Sequence, residues 1–548
     1  MDPTPAPKEF VLCFDGTNNK FHGDSSDSNV LKIFRVSSAC FVHRLGLTER
    51  KMLDRTGYNQ YHYYQPGIGT YVTSASLSHS GTIRKIKSAY VKAKDAAVGS
   101  TLADHVMGGY KFLMRYYSPG DQIYIFGFSR GAYVARFLAE MLDKIGLLEA
   151  GNEELIRFVW KTFAKWQQRH GGAEAASLWK YMQAFQETFC HPAPDIRFLG
   201  LFDTVNSVPR FERAWMRRNR FPYTARTKAK VIRHAVSIDE RRAKFRQDLI
   251  SEAKPSPKER PSTRLRRHLE RHNVFLPYHN HRQHHNSRLS QSAQQPRAAA
   301  SSASFADEKA DDVQDIEEVW FPGCHADIGG GWPLNPGEYA LSHVPLVWMV
   351  QNAQKAGLRF DTGKLRRFDC SGDSTEDHAE HSQGENHPGN LHNRAAQNVE
   401  DESGGKESPM SVLRKSSTDS RMHDTLRFGK GVRWTTVLSW KVMEYLPFRR
   451  MDLQEDGSWK PIRWPLPCGE VRDIPNDAKV HVSAIRRLKS DPEYRPGNLI
   501  LGGGGRGKIK APKECGIGEW GVADYPGCAV KETYRRKPIS KEAHHMNP

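Results

Sequence analysis

The sequence predicts an α/β fold built on a mostly parallel, doubly wound sheet. Mostly apolar runs of strand length recur at residues 10–14, 123–126, 196–202 and 316–321, and the first shows no polar alternation. Runs of this kind are typical of strands buried on both faces of a parallel sheet. Helix-like spacing of apolar residues lies between them, around residues 28–50, 100–117 and 132–142. Together these observations indicate a large sheet covered by helices.

The stretch 121–136 is the one around which the other elements are arranged. It begins with a strand-like run and ends with a helix-like pattern, and between them Gly127, Ser129 and Gly131 form a G-x-S-x-G motif. A strand that turns sharply into a helix is the context of a nucleophile elbow. In so tight a turn, a Cβ at either glycine position collides with neighbouring backbone. Ser129 is therefore the candidate nucleophile, with the positive end of the next helix available to stabilise an oxyanion.

The loop after the first strand, residues 15–19, is the predicted partner of this turn. An Asp-Gly-Thr sequence after a strand also suggests a haloacid-dehalogenase phosphatase. The nucleophilic aspartate of that chemistry falls two residues before Asp15, where the chain has Cys13. We therefore expect the loop to offer the backbone N–H of Gly16 or Thr17 to an oxyanion hole, together with that of Arg130.

A hydrolytic serine needs a base to take its proton and an acid to orient that base. Ser129 is followed along the chain by Asp203, at the end of one apolar run, and by His325, in the loop after another. This is the serine–acid–histidine order of α/β-hydrolases. All three residues fall at the carboxyl ends of predicted strands, where doubly wound sheets bind ligands. The fold predicted is thus α/β-hydrolase-like.

Other residues compete for the same two roles. His234 and His481 are rival bases, each within a segment that we expect to be structural. Asp239 and Asp327 are rival acids, and Asp327 lies only two residues from the proposed base. We prefer Asp203 as the acid.

The basic composition favours anionic partners. The 548 residues carry a net charge of +19, with a pI near 9.5 and a mean hydropathy of −0.67. Such a charge suits phospholipid surfaces, nucleic acids or acidic substrates. The alternative is that solvated, disordered segments carry much of it. We expect an ester substrate and a peripheral, anionic membrane surface as partners, and no nucleic acid.

Cysteine usage and the amino terminus predict a cytoplasmic protein. The eight cysteines are scattered and form no C-x-x-C pair, so neither a zinc site nor a redox motif is indicated. The first residues lack the apolar core of a signal peptide, and no window approaches the ~20 apolar residues of a membrane span. No metal or cofactor is expected.

Polar stretches divide the predicted catalytic domain, residues 8–500. Residues 252–312, with six histidines from His268 to His285, and residues 371–420 are predicted to be disordered insertions, and residues 501–548 a polar tail. The histidine tract has no matching set of cysteines or carboxylates, so we assign it no metal. The aromatic helical segment 150–190 is either a cap over the pocket or part of the core. The Trp440 helix, 434–450, suits a membrane interface, although core packing is preferred.

Four motifs in order make the sequence resemble a known family. They are FDGTNN at 14–19, GFSRGAY at 127–133, FDTV at 202–205 and HADIGGG at 325–331, supported by HAVSIDERR at 234–242 and by residues 480–496. The chain resembles an uncharacterised α/β-hydrolase domain family of fungi and bacteria, similar to the catalytic domain of family-one phospholipase effectors of type VI secretion.

This resemblance implies an ester hydrolase whose bacterial relatives cleave phospholipids. Its catalytic positions match Ser129, Asp203 and His325. No secretion-effector appendage is evident, so a toxin role is not carried over. We therefore expect a serine hydrolase acting on lipid or phospholipid acyl esters. The alternatives are a carboxylesterase or thioesterase for soluble substrates, or a non-catalytic interaction module.

Overall fold

The computed structural model describes sixteen stretches of the chain. They are residues 7–17, 19, 21–37, 59–67, 100–167, 173–191, 194–205, 212–213, 217–218, 229–250, 314–370, 407–429, 432–448, 450–454, 459–502 and 508–537. The histidine-containing insertion predicted at 252–312 lies outside the described residues, as do residues 38–50 of the first predicted helix.

The strands, in chain order, are β1 (Glu9–Phe14), β2 (Gln60–Gln65), β3 (Gln122–Phe128), β4 (Leu147–Leu148), β5 (Cys190–His191), β6 (Asp195–Phe202), β7 (Glu212–Arg213), β8 (Arg217–Arg218), β9 (Val231–Ser237), β10 (Asp315–Phe321), β11 (Arg450–Leu453), β12 (Trp459–Ile462), β13 (Lys479–His481), β14 (Trp520–Asp524) and β15 (Thr533–Arg536). The helices are α1 (Asn29–Ser37), α2 (Ser100–Tyr116), α3 (Arg130–Ile145), α4 (Ile156–Gln167), α5 (Ala173–Phe189), α6 (His325–Gly329), α7 (His343–Lys355), α8 (Thr362–Arg367), α9 (Pro409–Thr418), α10 (Trp434–Glu444), α11 (Val482–Ser490) and α12 (Gly497–Ile500).

Nine of these strands form the central sheet, in the order β14-β15-β13-β10-β9-β6-β3-β1-β2. The seven strands from β13 to β2 pair in parallel, and only β15 is reversed, since it pairs antiparallel with both β13 and β14. The prediction of a mostly parallel sheet is confirmed. The strand order reverses around β1, which lies between β2 and β3. Open α/β sheets bind ligands at the carboxyl ends of strands at such a switch point.

Strand β1 shows why the sheet needs helices on both faces. Phe10, Leu12 and Phe14 belong to one apolar cluster, which also contains residues of α2 and α3. Val11 and Cys13 belong to a second cluster on the opposite face, with residues of α1 and α7. Alternate residues of a strand point to opposite faces, so an unbroken apolar run is buried on both. The doubly wound arrangement follows from this pattern.

The aromatic helices α4 and α5 belong to the core. Phe163 of α4 packs edge-on against Phe137 of α3, with ring centroids 6.1 Å apart. Met182 and Phe185 of α5 are buried in the same cluster. Part of this segment therefore packs on the core, whereas Phe158 and Tyr181 of the same two helices are exposed.

The described parts of two predicted polar segments contain ordered elements, so disorder is the wrong assignment for residues 407–420; residues 371–406 lie outside the described stretches. Helix α9 lies within 371–420; Ser408 caps its first turn, and Leu413 is buried against the α7 side of the sheet. Strand β15, within 501–548, pairs with β13, and β14 pairs with β15. Both segments are polar overall, and the described part of each is anchored by a few buried side chains or by pairing at the sheet edge. The described part of the fold therefore extends to residue 537.

Helix α10 packs on the core along only one side, so the preference for core packing over a membrane interface is correct only in part. Val437 is fully buried, and Trp440 packs against Phe245 with ring centroids 5.5 Å apart. The other side of the helix is exposed, including Trp434 and Leu438. Among the described residues, no helix is both long and apolar enough to cross a bilayer.

Candidate active site

Ser129 occupies a strained turn between β3 and α3. Its backbone angles are φ 58° and ψ −125°, in a region that residues with a side chain rarely adopt. A Cβ on Gly127 would lie 2.4 Å from the Cα of Ala132, and one on Gly131 would lie 2.2 Å from the carbonyl oxygen of Phe14. Both positions therefore require glycine, as the G-x-S-x-G spacing predicted. The turn directs Ser129 to the carboxyl edge of the sheet.

The structure brings Ser129, His325 and Asp203 together from three separate parts of the chain. The Oγ of Ser129 lies 2.8 Å from Nε2 of His325. Nδ1 of the same imidazole lies 2.5 Å from Oδ2 of Asp203. All three residues are buried. This is the connectivity in which a hydroxyl can pass its proton to an imidazole whose other nitrogen is held by a carboxylate.

Asp203 follows β6 and is the most heavily bonded member of the group. Arg472 donates to both of its carboxylate oxygens, Nη1 to Oδ1 at 2.6 Å and Nη2 to Oδ2 at 2.9 Å. The amide of Ser237 donates to Oδ1 at 2.9 Å. Burial raises the pKa of the Asp203 carboxyl, but the Arg472 charge and the His325 hydrogen bond outweigh burial and hold that pKa below its usual value. Asp203 is therefore ionised at neutral pH.

His325 begins the short helix α6, directly after β10. Its ring is packed between Phe128 and Phe245, with centroid distances of 4.9 and 4.7 Å. Burial lowers the pKa of the imidazole, and the opposing attraction of Asp203 does not fully offset that effect. The ring is therefore neutral at neutral pH, with one nitrogen free to accept a proton.

Arg472 is the site residue that sequence reasoning missed. It lies 269 positions from Asp203 and is wholly buried. It also donates to the carbonyl oxygens of Ser237 and Phe245. No motif surrounds it, and the segment reads as Val-Arg-Asp-Ile. The one available signal was an arginine directly after an apolar residue, which is too common to single out.

The backbone N–H groups predicted for the oxyanion hole come from the two turns at the switch point. The Gly16 amide donates to Oδ1 of Asp15 at 2.6 Å. The side chain of Arg130 joins the two turns, since its Nε donates to Oγ1 of Thr17 at 2.6 Å. With Gly16 engaged by Asp15, the Thr17 amide is the better of the two loop candidates.

Asp15 organises this loop. Its carboxylate also accepts hydrogen bonds from Asn19, Ser28 and Tyr64, at 2.8, 2.7 and 2.7 Å. Burial nevertheless raises the pKa of the Asp15 carboxyl, because it outweighs those bonds. The sequence suggested no role for Asp15. Its carboxylate connects the loop to Ser28, directly before α1, and to Tyr64 of β2.

The rival acids and bases have other partners. His234 accepts from the Thr204 amide and contacts Glu318, while both nitrogens of His481 are used by Ser483 and the Val530 carbonyl. Asp239 accepts from Gly323 and Tyr494. Asp327 bonds to the backbone and imidazole of His423. Within the described stretches, no cluster of His, Cys, Asp or Glu is arranged to hold a metal ion.

The fold and the site thus define a class: an α/β protein with a Ser–His–Asp arrangement at the carboxyl edge of its sheet. The family model "T6SS, Phospholipase effector Tle1-like, catalytic domain" matches residues 8–352. The chain belongs to this family, which confirms the resemblance carried by its motifs.

Individual relatives have the following similarities. An uncharacterized protein of Saccharomyces cerevisiae, YEL023C, is 28% identical over 577 residues, covering 90% of this chain and 80% of the relative. A crystal structure of an uncharacterized Pseudomonas aeruginosa protein is 17% identical, with a TM-score of 0.31, over 66% of this chain and 48% of that one. The Tle1 effector bound to the VgrG spike is 16% identical, with a TM-score of 0.28, over 60% and 51%. The chain thus spans about half the length of each solved structure.

Proposed function

We propose that the protein is a serine hydrolase that cleaves acyl esters of phospholipids, with Ser129 as nucleophile, His325 as base and Asp203 as the acid that orients it. The observation that carries the proposal is the continuous chain of contacts from Ser129 Oγ through the imidazole to Asp203, at 2.8 and 2.5 Å. Membership of a phospholipase effector family supports the lipid substrate. The α/β-hydrolase type of fold is part of the same proposal.

Proton transfer follows from the protonation states. The neutral imidazole of His325 carries its proton on Nδ1, where it is donated to Asp203, and this leaves Nε2 to accept the Ser129 proton. As that proton moves, Oγ bonds to the ester carbonyl carbon. The tetrahedral intermediate then expels the alcohol, which takes the proton from Nε2. A water molecule activated by the same imidazole hydrolyses the acyl-enzyme and restores Ser129.

The developing oxyanion requires donors that are already oriented. We assign this role to the backbone N–H of Arg130, at the first turn of α3, and to that of Thr17. The positive end of the α3 dipole adds to their effect. The hydrogen bond from Arg130 to Thr17 fixes the two turns relative to each other. We expect no metal or cofactor in this reaction.

A cytoplasmic location is also proposed. The seven cysteines in the described stretches, Cys13, Cys190, Cys324, Cys370, Cys468, Cys515 and Cys528, form no disulfide. Reduced thiols are usual in reducing compartments.

The test is labelling of the full chain with a fluorophosphonate, together with release of fatty acid from phospholipid vesicles. Ser129→Ala is expected to fold, to lose the label and to lose acyl release. Ser490→Ala, a serine at the end of α11, is the matched control and should keep both. Labelling of the Ser129→Ala protein would identify another nucleophile. A labelled wild type that cleaves soluble esters or thioesters but no phospholipid would favour the soluble-substrate alternatives, and a wild type that neither labels nor hydrolyses would favour an interaction module.

A further inference from the structure

Helix α10 presents an apolar face to the outside of the protein. Trp434, Leu438, Val442 and Tyr445 are 68, 48, 59 and 66% exposed. Residues spaced by three and four positions lie on one side of a helix, so these side chains form one stripe, which we call the apolar face of α10. Contiguous apolar surface on a soluble protein marks an interaction site.

The opposite side of α10 is already fixed to the body of the protein by apolar and polar contacts. Glu444 is buried, and its carboxylate accepts from the amides of Ala243 and Gly469 at 2.9 and 3.2 Å. The packed side of α10 also carries Val437 and Trp440, so the helix has apolar side chains on both sides. The exposed apolar face therefore calls for a reason other than core packing.

This helix is next to the proposed catalytic histidine. Trp440 packs against Phe245 at 5.5 Å, and Phe245 packs against the His325 ring at 4.7 Å. The guanidinium of Arg242 lies over both aromatic rings. Trp440 lies on the side of α10 opposite to the apolar face. The width of one helix, ~10 Å, therefore separates this face from the aromatic rings that pack against His325. Whatever binds this face is held close to the site.

The charges around the apolar face are complementary to an anionic surface. Arg427, Arg433 and Lys441 are exposed, and the ammonium of Lys441 lies 4.8 Å from the ring centroid of Phe428. Residues 427–448 contain four lysines and arginines and one acidic residue, the buried Glu444. Tryptophan, tyrosine and leucine beside exposed basic residues are the composition of helices that lie in a membrane interface.

We propose that the apolar face of α10 docks the protein on an anionic phospholipid bilayer. Its four side chains enter the headgroup region, and Arg427, Arg433 and Lys441 contact lipid phosphates. Docking then keeps the Ser129–His325 pair beside the lipid that it acts on. This inference rests on the proposed function and names the surface through which that function reaches its substrate.

The test measures vesicle binding separately from hydrolysis. The full chain carrying Ser129→Ala is sedimented with vesicles of phosphatidylcholine alone and of phosphatidylcholine with phosphatidylserine. Added Leu438→Asp and Val442→Asp should weaken binding to the anionic vesicles by at least about tenfold, since two apolar side chains no longer leave water. Met410→Asp is the matched control, because Met410 is 54% exposed on α9, and it should bind normally.

With Ser129 present, the double aspartate variant should lose phospholipid hydrolysis while its turnover of a short soluble ester stays unchanged. A second measurement does not depend on that variant folding. Bilayers with brominated acyl chains should quench wild-type fluorescence, and Trp434→Phe should reduce the quenching. Arg433→Glu with Lys441→Glu should abolish the preference for anionic vesicles.

Unchanged binding of the double aspartate variant, or quenching that does not depend on Trp434, overturns the docking surface. So does a wild type that ignores vesicles but self-associates through this face, which would assign the face to a second copy of the chain. Normal docking with no release of fatty acid overturns the proposed function and leaves the docking surface standing.

Discussion

Arg472 and Asp203 form a fully buried ion pair with two parallel hydrogen bonds, Nη1–Oδ1 at 2.6 Å and Nη2–Oδ2 at 2.9 Å. The carboxylate that faces His325 is therefore shared between an imidazole and a guanidinium. Such bidentate geometry is specific to arginine and fixes the plane of the carboxylate. Arg472 also neutralises part of the charge that would otherwise raise the pKa of His325. We infer that it is a positioning residue, acting through Asp203.

Replacing Arg472 should affect both stability and the pH profile. Arg472→Gln leaves a buried carboxylate without its cation, so the free energy of unfolding should fall by about 3–5 kcal/mol. Because the unneutralised Asp203 charge favours the imidazolium, the pKa of His325 should rise, and ester hydrolysis should begin to fall at a higher pH than in the wild type.

The control is Arg487→Gln, since Arg487 is a buried arginine that bonds to Ser420 away from the site. It should lower stability without moving the pH profile of hydrolysis. If Arg472→Gln and Arg487→Gln have the same pH profile, Arg472 is merely structural.

Asp203 and Asp327 can be distinguished by replacing each with asparagine. Asp203→Asn should lower kcat by about 10⁴-fold, because an amide favours the wrong imidazole tautomer. It should also destabilise the fold, since Arg472 loses its counter-charge. Asp327→Asn disturbs the bonds from His423 and from the Cys324 amide, none of which involves the His325 ring, and should retain kcat within about tenfold. Stopped assays with a soluble ester, below the thermal midpoint of each variant, make the comparison. If Asp203→Asn lowers kcat only slightly and Asp327→Asn lowers it severely, Asp327 and not Asp203 is the acid that orients His325.

The acidic limb of the hydrolysis profile follows from the His325 environment. Burial lowers the pKa of His325 from its usual 6.5, and the base works only when neutral. Activity of the wild type should therefore persist below pH 6.5, before it falls as the imidazole becomes protonated. Steady-state kcat/KM on a soluble ester, measured across the acidic range, checks this. If the acidic limb is centred at a pH above the usual histidine pKa, the attraction of Asp203 has a larger effect on the pKa of His325 than burial has.

The sequence could predict those parts of the fold and the site that depend on residues close together in the chain. The runs at 10–14 and 196–202 coincide with β1 and β6 because a strand buried on both faces needs an unbroken apolar stretch. Ser129 and His325 could be singled out because each follows such a run. Arg472 could not, because its partner is 269 positions away and a single buried arginine leaves no local pattern.

The two edge strands show a different reason for failure. β14 and β15 are short and partly exposed and lie in a stretch that is polar overall, so composition alone resembles a tail. They order because β15 pairs with β13, a contact that local sequence does not encode. The exposed face of α10 was anticipated as an interface alternative, but which of its sides is buried depends on Glu444 meeting the amides of Ala243 and Gly469.

Asp239 should make stability fall as the pH rises. Burial raises its pKa to about 7 in the fold, against an ordinary value of 3.8, although Gly323 and Tyr494 donate to it. Between those values the folded state binds more protons than the unfolded state, so the free energy of unfolding falls with increasing pH. Asp239→Asn removes this dependence and should stabilise the protein at about pH 8 by more than at about pH 4.

Urea unfolding at the two pH values measures the difference. Asp477→Asn, an exposed carboxyl, is the control and should change stability equally little at both. An Asp239→Asn effect that is the same at both pH values would show that the carboxyl is ionised in the fold.

The insertion predicted at 252–312 should be dispensable for folding. On one side of it, the Ile250 amide donates to Glu318 of β10 at 2.7 Å; on the other, Gln314 donates to the Ala229 carbonyl at 2.9 Å, just before β9. The two flanks of the insertion therefore lie at the neighbouring parallel strands β9 and β10. The first flank contacts β10 at residue 318 and the second continues into β10 from residue 314, and these two residues are ~13 Å apart along an extended strand. A Gly/Ser linker of about ten residues spans such a distance easily.

Replacing residues 255–310 with that linker should leave the thermal midpoint and soluble-ester hydrolysis unchanged, because the sheet and the Ser129 site are anchored elsewhere. Replacing 409–418 in the same way should destabilise the protein, since α9 buries Leu413 and Ser417. Differential scanning calorimetry of both deletions makes the comparison. A large loss of stability from the first deletion would mean that the insertion contributes to the core, and would move the domain boundary to include it.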